Sequence, residues 1–156
     1  MPSGGISDRS KEAAALEKTL HARRSSTELG ELLAAARQTQ LAAAEQRQVQ
    51  LIEQSYKRNC KVPEEISVSL AGLTSKSQHL WAQARADEAV ADFTPILAEV
   101  VALRQQEAAA LADGTGLSSY DALLKDYEPD GSTAEISKMF DALRSPLVAL
   151  RSAVLE

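Results

Sequence analysis

The sequence predicts an all-α protein, a bundle of about five to seven helices. Three observations carry this. Glycine and proline are sparse, 7 and 5 in 156 residues, so long stretches have no helix breaker. Alanine and leucine, strong helix formers, are abundant, whereas aromatic residues make up only 4%. Apolar residues recur at steps of three and four, and no stretch shows the alternation of a half-buried strand.

Residues 1–7 read as a turn-rich lead containing Pro2, Gly4 and Gly5, with Ser7 as a helix cap. A first helix is expected from Asp8 to about Arg23, its apolar stripe formed by Ala13, Leu16 and Leu20. Ser25 to Thr27 interrupt it. Either Ser25 with Glu28 forms a capping box or Ser26 caps directly. A second helix follows with Leu29, Leu32, Leu33 and Ala36 on one side. Residues Gln38 to Asn59 keep a helical period through Leu41, Val49, Ile52 and Tyr56, with a break near Thr39 left open.

Val62-Pro63 marks a new start, because proline suits a first helical turn and Glu64 and Glu65 suit its positive end. Ile66, Leu70, Leu73, Leu80 and Ala84 carry that helix to about Ala86. Asp92 is expected to cap the next one, with Pro95 in its first turn and Phe93, Leu97, Val100 and Leu111 along it. Asp113-Gly114-Thr115-Gly116 is the clearest stop signal in the chain. A short helix at Ser119–Lys125, a turn at Glu128-Pro129-Asp130-Gly131 and a capping box at Ser132 and Glu135 follow. The last helix carries Ile136, Phe140, Leu143, Leu147 and Leu150, and Pro146 is expected to kink or restart it. No repeat of a solenoid period and no sustained heptad is present. Residues 1–156 are therefore read as one helical domain.

Composition removes several functional classes. The net charge is −5, and the short basic clusters (Arg23–Arg24; Lys57, Arg58 and Lys61) are diluted by acids, so no nucleic-acid partner is expected. No apolar run approaches the roughly 20 residues needed to span a bilayer, so no membrane partner is expected either. The start lacks a signal-peptide pattern. Cys60 is the single cysteine, so no intrachain disulfide can form; this fits a cytoplasmic location.

Few residues offer chemistry. A catalytic zinc site usually takes three protein ligands, and its common helical source is H-E-x-x-H. The chain holds two histidines, His21 before Ala22-Arg23 and His79 before Leu80-Trp81, and neither is followed by glutamate. Each is read as a surface or partly packed helix residue rather than as a ligand or general base. Cys60 is read as an ordinary helix cysteine rather than as a nucleophile. Asp121, Asp126 and Glu128 form one acidic cluster near a turn, but their spacing matches no calcium loop. Trp81 is read as a core anchor, with ligand stacking as the alternative. A small unrelated enzyme built on Tyr120, Asp121 and Glu128 is the remotest reading. No residue is assigned a catalytic, cofactor-binding or metal-binding role.

Three stretches together resemble one family. They are Met1-Pro2-x-x-Gly5-Ile6-Ser7-x-Arg9-Ser10; then Trp81-x-x-Ala84 with Asp92-Phe93-x-Pro95-x-Leu97; and Tyr120-Asp121-Ala122-Leu123-Leu124-x-x-Tyr127-Glu128-Pro129, followed by Phe140-Asp141-x-Leu143. Their order and separations resemble the carboxypeptidase Taq family of thermostable-type metallocarboxypeptidases. The resemblance implies a large, almost wholly helical molecule with a deep groove. It also implies a zinc or cobalt ion, removal of C-terminal amino acids from peptides, and commonly a homodimer.

The sequence departs from the family pattern at Ala89-Val90, where an Asp-Phe-like pair is common, and at Asp130, where glycine is common. The H-E-x-x-H helix, the further glutamate ligand and the substrate-carboxylate motifs belong to family regions beyond the part matched here. A helical segment before the Met-Pro motif is also missing. The expectation is therefore an N-terminal helical portion, with no cofactor of its own and inactive as an isolated chain. Its expected partners are a second copy and the catalytic portion. The alternative is a free-standing helical interaction or oligomerisation module of the same ancestry.

Overall fold

The computed structural model describes residues 5–155, so Met1, Pro2, Gly4 and Glu156 lie outside the described residues. Seven helices are described: α1 (Ile6–Arg24), α2 (Thr27–Arg37), α3 (Ala43–Lys61), α4 (Glu64–Ala86), α5 (Val90–Ala112), α6 (Ser119–Leu124) and α7 (Thr133–Leu155). No strand occurs among the described residues. The predicted all-α class is the observed one. The chain divides into two compact units, Met1–Leu111 and Ala112–Glu156.

In the first unit α1 lies along α4. The pairing is close because Gly72 of α4 has no side chain. A Cβ there would sit 3.3 Å from both the backbone oxygen and Oγ of Ser10, and Ser10 Oγ donates to the Gly72 carbonyl at 2.8 Å. That approach decides which stripe of α1 turns inward. It is Ser10, Ala14, Glu17 and His21, at helical spacing, and Leu16 and Leu20 are 66% and 41% exposed. Of the expected Ala13–Leu16–Leu20 stripe, Ala13 is half-buried, and Leu16 and Leu20 are corrected to the exposed side, since the close approach at Gly72 is made through Ser10 and Ala14.

The helix ends follow local chemistry. α1 begins at Ile6 after Gly5, so Ser7 lies inside the helix and does not cap it. Ser26 is the cap of α2, its Oγ accepting from Leu29 N–H at 3.2 Å. The break left open near Thr39 is real: α2 ends at Arg37, and α3 begins at Ala43, where the Glu45 carboxylate accepts from Ala42 N–H at 2.8 Å. Glu53 of α3 pairs with Arg37 of α2 and, at 2.9 Å, with Lys57, and these cations hold its carboxyl below the usual range, the Lys57 hydrogen bond most of all. Gly30 of α2 faces Tyr56 of α3, with 2.5 Å between the tyrosine oxygen and the place of a Cβ.

α4 ends at Ala86, as expected, in a Schellman turn: Ala89 N–H donates to Ala84 O at 2.8 Å and Glu88 N–H to Arg85 O at 3.5 Å. The residue that takes the left-handed conformation there is Glu88, with φ 54°. α5 starts at Val90 and not at Asp92; Asp92 becomes an acid in the first turn, and Pro95 falls in the second turn. Its inward side is Ile96, Glu107, Ala108 and Leu111, whereas Leu97 is 45% exposed. α5 ends at Ala112, and Gly114 and Gly116 take positive φ of 66° and 74°, which a glycine adopts without steric penalty.

The second unit is built on α6, α7 and the turn between them. Gly131 N–H closes that turn onto Glu128 O at 3.1 Å. Ser132 Oγ accepts from Glu135 N–H at 3.3 Å, the expected cap. Pro146 does not restart the helix, because α7 runs on to Leu155. Proline removes the N–H that Ala142 would accept, but α7 is exposed from Ser137 onward, so water can satisfy that carbonyl.

Candidate functional site

The two histidines occupy unlike places. His21 is buried at 7% exposure, and its Nε2 lies 2.8 Å from the carbonyl oxygen of Val62. A carbonyl can only accept, so Nε2 carries the proton and donates. His21 therefore pins the end of α1 to the α3–α4 junction, where Val62 is 2% exposed. The expectation of a surface or partly packed residue understated its burial. His79 is half-buried on α4. Cys60 is exposed, its Sγ 3.9 Å from Ser25 O. Beside it Tyr56 is pushed above its ordinary range by the Cys60 thiol and by partial burial.

The acidic cluster is used for architecture. One Asp121 carboxylate oxygen accepts from Thr133 N–H at 2.8 Å and from the Thr133 hydroxyl, and the other accepts from Ser118 Oγ at 2.7 Å. These bonds, with Lys125 nearby, hold the Asp121 carboxyl down at about 2. Asp121 thereby ties the start of α6 to the start of α7. Tyr120 is 69% exposed and lines an open groove of about 690 Å³ with Leu124, Ile136 and Phe140.

Trp81 is not the core anchor expected from its sequence setting. It is 47% exposed, with the Arg85 guanidinium 5.3 Å from the ring centroid. Trp81, Ala84, Arg85, Glu88, Val90 and Phe93 line a cavity of about 390 Å³ where α4 turns into α5. Ala84 is its buried floor.

One buried charge escaped the sequence reading. Glu107 is 4% exposed and accepts from Arg58 at 2.9 Å and Arg104 at 2.5 Å, joining α3 to α5. Lys61 Nζ reinforces the link by donating to Leu111 O at 3.2 Å. Glu107 on an alanine-rich helix reads as a solvated acid unless its distant partner Arg58 is known.

Among the described residues no group of three or more His, Cys, Asp or Glu side chains is placed to hold a metal ion. The family model for "Carboxypeptidase Taq (M32) metallopeptidase" matches residues 1–156. The chain belongs to the carboxypeptidase Taq family. Thermostable carboxypeptidase 1 of Thermus thermophilus is 30% identical over 169 aligned residues, covering 99% of this chain and 32% of that protein. Thermostable carboxypeptidase 1 of Pyrococcus furiosus is 30% identical over 108, covering 69% of this chain and 21% of that protein. A solved structure described as "BsuCP Crystal Structure" superposes with a TM-score of 0.86 at 25% identity, over 98% of this chain and 31% of that one. The chain thus spans a third or less of the length of these relatives. The metal that the family name implies does not fit the described residues, for His21 is committed to a buried backbone carbonyl and no three-ligand cluster forms among them.

Proposed function

We propose that these 156 residues are the N-terminal helical portion of a metal-dependent carboxypeptidase that removes C-terminal amino acids from peptides in the cytoplasm. In this reading the portion is scaffold. It supplies packed helices and no hydrolytic group, and zinc or cobalt is held by residues beyond this sequence. The observation that carries the reading is the family match over the whole chain together with a coverage of 32% or less of each relative. The absence of H-E-x-x-H from the sequence supports it. Equilibrium dialysis of the purified chain against zinc or cobalt tests it: substoichiometric metal is expected, and one tightly held ion per chain overturns the scaffold reading.

A second reading, a helical interaction or oligomerisation module, is favoured by α7. That helix has no buried residue, and Met139, Phe140, Leu143, Leu147 and Leu150 are 44–61% exposed. Apolar faces of this extent drive association, either with a second copy or with the catalytic portion. Light scattering separates the outcomes: a dimer or larger species is expected, and a monodisperse monomer at high concentration counts against self-association.

A further inference from the structure

We propose, resting on the self-association reading of α7, that this helix pairs antiparallel with α7 of a second copy of the chain. The tail of each helix then covers the groove at the start of the other. Ile136, Phe140, Leu143, Leu147, Leu150 and Val154 follow one another at alternating steps of four and three. That spacing sets them on one stripe of the helix, the seam of a two-helix pairing. All but Ile136 are 44–74% exposed. The steps are the same read from either end. An antiparallel copy therefore meets the stripe in register, with Ile136 beside Val154, Phe140 beside Leu150 and Leu143 beside Leu147.

Charge decides the direction. Glu128 and Ser137 line the groove of about 690 Å³ at the start of α7, and Arg151 stands at the helix's other end. Glu128 and Arg151 are both exposed, and among the described residues neither takes part in an ion pair. Along one helix Arg151 lies about 21 Å from Ser137, at about 1.5 Å per residue. In the antiparallel register Arg151 of one copy falls within a turn of Ser137 of the other, at the groove that Glu128 lines. Two-fold symmetry makes that contact twice. A parallel pair would set Arg151 beside Pro146 of its partner, with no acid to meet. Arg144 comes nearest the two-fold axis, and its charge is already answered by Asp141 at 3.4 Å in its own chain.

Sedimentation equilibrium of the full chain over a concentration series tests the pairing. Leu147, Glu128 and Arg151 are exposed, so changes there leave the fold of one chain intact. A dimer is expected, and Leu147→Asp should return it to monomer. Glu128→Lys and Arg151→Glu should each weaken the dimer by about tenfold, because like charges then face each other at both ends of the seam. The chain carrying both changes should regain its affinity, since the reversed charges meet again. A monomer at every concentration overturns this pairing together with the self-association reading, and leaves the face to the catalytic portion. A dimer that survives Leu147→Asp overturns the α7 pairing alone. A dimer lost in Leu147→Asp but not rescued in the doubly reversed chain overturns the antiparallel arrangement.

Discussion

The two units are held by different means. In Met1–Leu111 the helices are tied over long sequence distances: Ser10 to Gly72, His21 to Val62, Arg58 to Glu107 and Lys61 to Leu111. Among the described residues it also holds seven of the eight buried apolar ones, Ala122 being the exception. In Ala112–Glu156 the ties are short-range, and one carboxylate, Asp121, does most of the joining. α7 presents its apolar residues to solvent. The lesson is that helical propensity alone can draw a 23-residue helix, but packing has to come from elsewhere, and here the second unit supplies little of it.

That contrast can be broken from either side. The largest effect is expected from Gly72→Val, which forces α1 off α4 and should destabilise the first unit by about 3 kcal/mol. Urea unfolding followed by circular dichroism should show a lowered transition for that unit only. Glu107→Ala comes next. It leaves Arg58 and Arg104 facing a site without its carboxylate and should cost about 2 kcal/mol, read in the same way.

Asp121→Ala should act on the second unit alone, as a modest loss from the missing tie between Ser118 and Thr133. Amide exchange at the start of α7 would report it. The same link has a pH dependence of known sign. Asp121 has a folded pKa of about 2, below its ordinary value of 3.8, so its contribution is present above about pH 4 and is lost as pH falls toward 2. The exchange protection of α7 in the unmodified chain should decline across that window, and in Asp121→Ala it should not.

The smallest effect has the opposite sign. Glu88→Gly relieves a left-handed glutamate and should stabilise the end of α4 by about 1 kcal/mol, seen as a raised melting temperature. An unchanged or lowered melting temperature would show that the Glu88 side chain makes up for its backbone.

Much of the fold was legible in the sequence. Val62-Pro63, the Asp113–Gly116 stop and the Ser132–Glu135 cap are local signals, and each marks a real boundary. What the sequence hid depends on tertiary approach. Leu16 and Leu20 look like a core stripe until Gly72 of α4 shows that α1 approaches through its Ser10–Ala14 face. Trp81 looks like a core anchor until the α4–α5 turn leaves its ring open beside Arg85. Glu88 gave no turn signal, because the position is normally marked by glycine. Pro146 looked like a break because proline removes one helix hydrogen bond and crowds the preceding turn, yet α7 continues through it along an exposed face where water reaches the freed carbonyl.

The proposal that this portion is scaffold, with the family's hydrolytic groups held elsewhere, is open to direct test. The most direct measurement incubates the purified 156-residue protein with zinc or cobalt and an N-blocked dipeptide, and quantifies the amino acid released. No release above the protein-free blank is predicted. Release that grows with protein concentration and stops with a chelator would contradict the claim.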